Sequence, residues 1–354
     1  MGVLPESMSH THQHASAQAT VRPGMIWRCP RCKGELITQT DRLDCADCAA
    51  HYPVFGGIPD FRIDLPGWID VNEDGAKALR LLGRIGTCSI ADLIADVFRQ
   101  RSGWSESDVA YRVRSILEGP GRLIRDLEGW LRPATIGALP FVDIGCGAGP
   151  LLVAAARLGR PAIGLDVSLE WLVIAREMIR EAGGTPHLAA AFGEALPLGP
   201  ASVGGVVSLD VIEHVDDQDQ YLREIGRVIA VGGVAAIATP NRYSLSAEPH
   251  VSIWGVGWLP RRWQERYVRW RGGKSYAHCR LLSLIEFRRM VRTSAALEPV
   301  VLLGEVAGEE IAQFRATKAW LARAYNSLLR LAPARAALIC VCPFFRVLAT
   351  KSHL

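Results

Sequence analysis

Much that would place a chain of 354 residues at once is missing from this one. Its formal net charge is only +4, too small a surplus to argue for a nucleic-acid partner. The charge-free run Ala336 to Phe345 falls far short of the roughly 20 residues that a spanning helix needs. Residues 1–24, rich in Ser, Thr, Gln and Ala, have too little apolar character for a signal peptide and read as a disordered tail. The three histidines in it, His10, His12 and His14, read as solvated rather than metal-binding. Nine cysteines supply no disulfide framework: four stand in pairs, and Cys88, Cys146, Cys279, Cys340 and Cys342 are scattered. That usage points to a reducing compartment, and with the absence of a spanning run it leads us to expect a cytoplasmic protein, soluble or peripheral at a membrane. Hydrophobic content of 49% is ample for a core, and the length exceeds one average domain.

The paired cysteines are Cys29-Pro30-Arg31-Cys32 and Cys45-Ala46-Asp47-Cys48. Two such knuckles can bring four thiolates around one tetrahedral zinc, with no position left open for catalysis. His51 in place of Cys48 is a weaker alternative. Residues 25–65 are too few to bury a self-sufficient core, so a structural Zn2+ would supply much of the module's stability. The following His51-Tyr52-Pro53-Val54-Phe55-Gly56-Gly57-Ile58-Pro59-Asp60-Phe61 resembles the small zinc-binding Trm112-like family over about Trp27 to Phe61. That resemblance implies a module that activates or stabilises a methyltransferase.

Further along, Phe141-Val142-Asp143-Ile144-Gly145-Cys146-Gly147-Ala148-Gly149-Pro150 is an apolar strand breaking into alternating glycines. A strand that enters such a turn and leaves as a helix frees backbone amides to face a ligand. The dinucleotide pattern G-x-G-x-x-G has a different spacing. An acid at Asp143 would repel pyrophosphate and suits a ligand carrying an ammonium and a sulfonium, which is S-adenosylmethionine. A tight turn without a ligand is the alternative. After a helix over 151–158, the short strand 161–166 ends in Asp166. A carboxylate there can accept both ribose hydroxyls; its competing role is to cap the helix 169–182, for which Ser168 is equally suited.

Then come Glu194-Ala195-Leu196-Pro197-Leu198, a strand 206–210 leading into Leu209-Asp210-Val211-Ile212-Glu213-His214-Val215, and a helix 221–229 stopped by Gly232-Gly233. A strand 234–239 follows, running into Thr239-Pro240-Asn241. In this order the motifs resemble those of the class I S-adenosylmethionine-dependent methyltransferases, in the branch that includes the ubiquinone-biosynthesis O-methyltransferases, over about residues 140–241. The resemblance implies an α/β fold, a Rossmann-like seven-stranded sheet, spanning 136–354. It implies that Gly145 and Gly147 lie under the methionine part, with Cys146 and Gly149 in the same loop. Asp143 would sit near the ammonium, Asp166 with Val167 at the ribose, and Asp210 beside the methyl group. The family's carboxylate for the adenine amino group falls here at Phe192, so that contact passes to Gly193 or Glu194. The family's aspartate at the start of the fourth strand falls at Gly204.

An oxygen acceptor needs a base, for which His214 and His250 are the candidates, since a neutral imidazole takes a hydroxyl proton near pH 7. His214 could equally do no more than hydrogen-bond at the strand end. Residues 70–135 show helical periodicity and read as a connector packed on the catalytic domain and closing over the cofactor. Residues 242–282 form an insertion at the substrate end of the sheet, an acceptor lid. It holds Trp254, Trp258, Trp263 and Trp270, with Arg261, Arg262, Arg266, Arg269, Arg271 and Lys274 against Glu265. Arginine forks fit phosphates and carboxylates, and tryptophan faces suit sugars or a lipid headgroup layer; a lid packed by tryptophan with a solvated arginine face is the plain alternative. The last segments, 299–303, a helix 309–331 and 336–349, are expected to complete the sheet.

The sequence therefore leads to a zinc-ribbon methyltransferase acting on a small-molecule or lipid-linked saccharide acceptor. Two readings compete with it: an RNA methyltransferase, and a scaffolding protein that has lost activity.

Overall fold

The structure, a computed structural model, describes residues 27–63, 69–101, 103–131, 139–273, 275–303, 306, 308–312 and 314–352. The expected tail 1–24 and Lys274 lie outside them.

The N-terminal module is a four-stranded antiparallel sheet, β1 (Leu36–Thr38), β2 (Arg42–Cys45), β3 (His51–Phe55) and β4 (Ile58–Pro59). It shares one core with the large domain, where Trp27, Tyr52 and Phe61 pack with Ala189, Leu196 and Leu198. Backbone bonds stitch the two together: Arg28 N donates to Pro197 O at 3.0 Å and Phe61 N to Ala190 O at 2.7 Å. Lys33 adds an ion pair to Glu224 at 3.0 Å.

Three helices follow, α1 (Val71–Leu82), α2 (Ile90–Arg99) and α3 (Glu106–Leu131). Asp70 caps α1, and Ser89 and Asp92 form a reciprocal capping box on α2, satisfying amides that the first turn leaves free. Helices α1 and α2 lie on α5 (Leu169–Glu181), and α3 lies on α4 (Pro150–Arg157). Residues of α1 and α2 line a hollow shared with Val167, Ser168 and Glu170, next to the strand end at Asp166.

The large sheet runs β7 (Leu188–Ala190), β6 (Ala162–Asp166), β5 (Phe141–Ile144), β8 (Val203–Leu209), β9 (Ile229–Pro240), β11 (Phe344–Thr350), β10 (Glu298–Leu302). The first five are parallel and β11 is antiparallel to both neighbours, which is the Rossmann-like class I methyltransferase sheet. Every residue of β5 is buried, as a central parallel strand requires. Helices α6 (Gln218–Val228), α7 (Arg261–Trp270) and α8 (Leu284–Thr293) follow β8 and β9.

Three expectations are corrected here. Gly232-Gly233 does not stop a helix: α6 ends at Val228 and β9 begins at Ile229, with the glycines inside the strand at a register shift against β8. A Cβ at Gly233 would stand 2.8 Å from the Gly204 carbonyl, so close backbone approach accounts for it. At the other end the run from Ala336 is not all strand. Ala332–Val341 is α11, its first turn set by Pro333, and pairing begins only at Phe344. The helix expected over 309–331 divides into α9 (Gly308–Ala312) and α10 (Ala316–Leu328). Among the described residues no helix is long and apolar enough to cross a membrane.

Candidate active site

The chain turns sharply after β5. Gly145, Gly147 and Gly149 all take left-handed φ angles, of 76°, 52° and 76°, which side chains disfavour. A Cβ at Gly145 would come within 2.3 Å of Val211 Cγ2, whereas one at Gly147 would project into open space. Gly147 donates its N–H to Asp166 Oδ2 at 2.8 Å, and Ser168 N–H reaches Asp166 Oδ1 at 2.9 Å. Each carboxylate oxygen thus holds one backbone bond and keeps lone pairs for a ligand. Ser168, not Asp166, caps α5, assisted by Asp74, which accepts Leu169 N–H at 3.0 Å.

Over this loop opens a cavity of about 720 Å³, lined by Ile63, Gly145, Asp166, Val167, Phe192, Glu194, Asp210, Val211, His214 and His278 among others. Of the residues picked from sequence, it brings Gly145, Asp166, Val167, Phe192, Asp210 and His214 to one wall. Asp143, Cys146, Gly147, Gly149 and Gly193 are not on its surface. Asp143 is 5% exposed within β5, and burial, reinforced by the Asp166 charge, pushes its carboxyl up to about 8. Gly193 has a structural reason to be glycine, because a Cβ there would meet the Tyr221 ring at 2.2 Å. Glu194 is partly spent, accepting Asp216 N–H at 3.0 Å. Ile63 and His278 were not anticipated. Neither belongs to the motif-bearing stretch, and only the tertiary fold carries them there.

Beyond Asp210 lies a cluster of ionisable groups. His214 and His250 meet edge to face with ring centroids 4.7 Å apart. His250 Nδ1 lies 2.5 Å from Glu248 Oε1 and 3.5 Å from Cys279 Sγ. These contacts, with Cys279 first and Glu248 next, push His250 up to about 10, so it is charged at neutral pH. Partial burial and then the His250 charge lower the pKa of His214, leaving it neutral. A charged imidazole cannot accept a proton, so of the two candidates only His214 has the chemistry of a base here. Between them Glu213 is buried, with Oε2 accepting from Thr239 Oγ1 at 2.8 Å and Oε1 standing 3.8 Å from His250 Nε2. Ligand atoms of His214, His250 and Cys279 fall within the 4.8 Å spacing that a metal ion requires, although Glu248 already engages His250 Nδ1.

The sulfur atoms of Cys29, Cys32, Cys45 and Cys48 all lie within 4.8 Å of one another, with Cys29 to Cys48 at 3.6 Å and Cys32 to Cys45 at 3.4 Å. Four sulfurs about 2.3 Å from a central zinc would be about 3.8 Å apart, so the donor set and spacing fit that ion. His51 is not part of the group and pairs instead with Asp44 at 2.7 Å.

In the lid the arginines divide. Arg261 pairs with Glu286 at 2.9 Å and Arg269 with Glu265 at 2.6 Å, whereas Arg262, Arg266 and Arg271 have no ion-pair partner among the described residues. A separate hollow of about 420 Å³ lies on α7 between Leu259, Pro260, Trp263, Arg266, Tyr267 and Trp270, with Trp270 75% exposed.

Residues 142–237 match the family model described as Methyltransferase domain. Ubiquinone biosynthesis O-methyltransferase of Sinorhizobium fredii is 32% identical over 133 residues, 36% of this chain and 53% of that protein. Its counterpart in Brucella ovis is 33% identical over 132 residues, with the same coverage of 36% and 53%. The chain spans about half the length of the curated relatives it matches. Phosphoethanolamine N-methyltransferase 2 of Haemonchus contortus, solved with S-adenosyl-L-methionine, is 18% identical with a TM-score of 0.45, covering 76% of this chain and 61% of that one. The chain thus carries a class I methyltransferase domain homologous to the ubiquinone-biosynthesis O-methyltransferases.

Proposed function

We propose that the protein is an S-adenosylmethionine-dependent methyltransferase that methylates an oxygen of a small-molecule or saccharide acceptor. The observation that carries this reading is one cavity lined by Gly145, Asp166, Asp210 and the neutral imidazole of His214. Bound in the groove, S-adenosylmethionine supplies a methyl group on a sulfonium, already a good leaving group. The protein's task is then to place the acceptor in line and exclude water. Asp166 accepts the ribose hydroxyls with its free lone pairs, Phe192 offers an aromatic face to the adenine, and Asp210 stands beside the transferred methyl. His214 takes the acceptor's hydroxyl proton, and the neighbouring His250 charge keeps it ready to do so.

The four cysteines hold one structural Zn2+, whose part is to fold the N-terminal module as a Trm112-like ribbon. The acceptor reaches the site past the lid, where Arg262, Arg266 and Arg271, without ion-pair partners among the described residues, stand beside exposed tryptophans and favour an anionic or lipid-linked compound. A cell-surface glycan intermediate or a specialised metabolite, handled in the cytoplasm at the membrane face, meets that description. The test is calorimetric titration with S-adenosylmethionine of the zinc-loaded protein and of Asp166→Ala. Micromolar binding lost in the variant supports the reading, and no binding to the intact protein overturns it in favour of a scaffolding role.

A further inference from the structure

Between the four-cysteine module and the cofactor wall stands Arg62, with 1% of its side chain exposed. Four of the five N–H groups of its planar fork have partners. Nε and Nη2 donate to the two oxygens of Asp60 at 2.8 and 2.6 Å, and Nη1 donates to Asp74 Oδ2 at 2.7 Å and to the Val167 carbonyl at 2.8 Å. Each partner belongs to a different part of the fold. Asp60 follows β4 and bridges to Ala190 in β7. Asp74 belongs to α1, and the same oxygen that meets Arg62 holds the first amide of α5. Val167 follows Asp166 directly and lines the cofactor cavity.

The neighbours of Arg62 complete the path. Phe61 packs edge-on to Tyr52 at 5.1 Å, and the Tyr52 hydroxyl lies 3.0 Å from Cys29 Sγ. Ile63, on the other side, is itself part of the cavity wall. An unbroken series of contacts thus runs from a metal-site sulfur through Tyr52 and Phe61 to Arg62, and from Arg62 to the loop that carries Asp166.

Intermediacy alone does not establish coupling; a two-state element that both sites bias does. The module is such an element, because a segment this small folds around its ion and loosens without it. We propose that Arg62 is a positioning residue that couples the two sites: metal in the four-cysteine module sets the affinity for S-adenosylmethionine, and a filled cofactor site tightens the module's hold on its zinc. The proposal rests on the methyltransferase reading above. When the module loosens, Phe61 and Arg62 lose their register against β7, the part-buried Val167 carbonyl loses its donor, and Asp74 alone ties the segment after Asp166 to α1. Reciprocity is required by linkage, so the same factor must appear in both directions.

The experiment uses the full-length, zinc-loaded protein, its Arg62→Met variant and Arg62→Lys. Two quantities are measured: S-adenosylmethionine affinity by calorimetry, and the rate of zinc transfer to a chromogenic chelator with and without saturating S-adenosylmethionine. In the native protein, S-adenosylmethionine should slow zinc release roughly 5-fold or more, within the usual range of site-to-site coupling. Arg62→Met should retain one equivalent of zinc, bind S-adenosylmethionine roughly 10-fold more weakly and release zinc at a rate indifferent to it. Arg62→Lys should recover only part of the effect, because an ammonium cannot make the forked contact. Native protein that binds S-adenosylmethionine yet releases zinc at an unchanged rate overturns the coupling, whatever the variants do. So does an Arg62→Met protein with native affinity and native protection. Native zinc-loaded protein that binds no S-adenosylmethionine overturns the cofactor reading and this proposal together.

Discussion

His214 and His250 meet at right angles 4.7 Å apart, and their environments drive them to opposite protonation states. One ring is held charged by Cys279 and Glu248, and its charge keeps the other neutral. This gives the site a neutral imidazole beside a fixed cation. The His214 pKa is lowered, so the rate should rise with pH through a midpoint below about 6.5 and then stay level through neutrality. His214→Ala should reduce kcat by about 10²- to 10³-fold with little change in cofactor affinity, and should abolish that acid limb. A pH profile of kcat for both proteins checks this.

Asp143 has a folded pKa pushed up to about 8, above the roughly 3.9 of an exposed aspartate. The unfolded chain loses this proton first. Its stabilising contribution is therefore full below about pH 4 and is lost as pH rises toward 8. Asp143→Asn should melt several degrees above the native protein at pH 8, with the gap closing toward pH 5; a few degrees corresponds to about 1 kcal/mol in a chain of this size. Melting curves at three pH values suffice.

The first two glycines of the loop should respond differently to alanine. Gly145→Ala drives a methyl against Val211 and should cost about 1–3 kcal/mol of stability. Gly147→Ala meets no protein atom and bears only the left-handed backbone cost, about 1–2 kcal/mol. Because Gly147 N–H holds Asp166, strain at this position should also weaken S-adenosylmethionine binding, by up to about 10-fold, which corresponds to about 1.4 kcal/mol. Paired thermal melts and titrations separate the two.

Removing the metal should unfold the N-terminal module. Cys45→Ser should lose the single equivalent of zinc and lower the melting temperature by about 5 °C or more, because the module shares its core with the edge of the large sheet. Metal analysis with calorimetric melting reads both.

The lid arginines should also divide by role. Arg261→Gln breaks the pair that holds Glu286 down to about 2 and should cost a fraction of a kcal/mol in stability, the scale of a partly exposed pair. Changing Arg262, Arg266 and Arg271 together to Gln should leave the melt unaltered and weaken binding to vesicles containing anionic lipid. Sedimentation with such vesicles measures it.

Where chemistry and local pattern coincide, the site was legible in the chain. Alternating glycines after an apolar strand, an acid at the tip of the next strand and two cysteine pairs each impose their geometry within a few residues. Gly145 and Asp166 line one cavity, and the four sulfurs lie within 4.8 Å of one another. The glycine pair at 232–233 misled because glycine serves helix stops and strand irregularities alike, and only the approach of the Gly204 carbonyl distinguishes them. The run at 336–345 misled because apolar residues without charge suit either period, and Pro333 with pairing to β9 sets the boundary.

The sequence by itself determined the run of elements from β5 to β9, the glycine turn and the two cysteine pairs, because these follow from backbone sterics and from side chains close along the chain. Only the tertiary structure decided that Ile63 reaches the cavity wall and Arg62 the Val167 carbonyl from the four-cysteine module, that Asp143 is buried, and that His250 is charged while His214 is not. Burial and charge are fixed by groups that lie far apart in sequence, as Cys279 and His250 do, and folding alone brings those groups within a few ångströms.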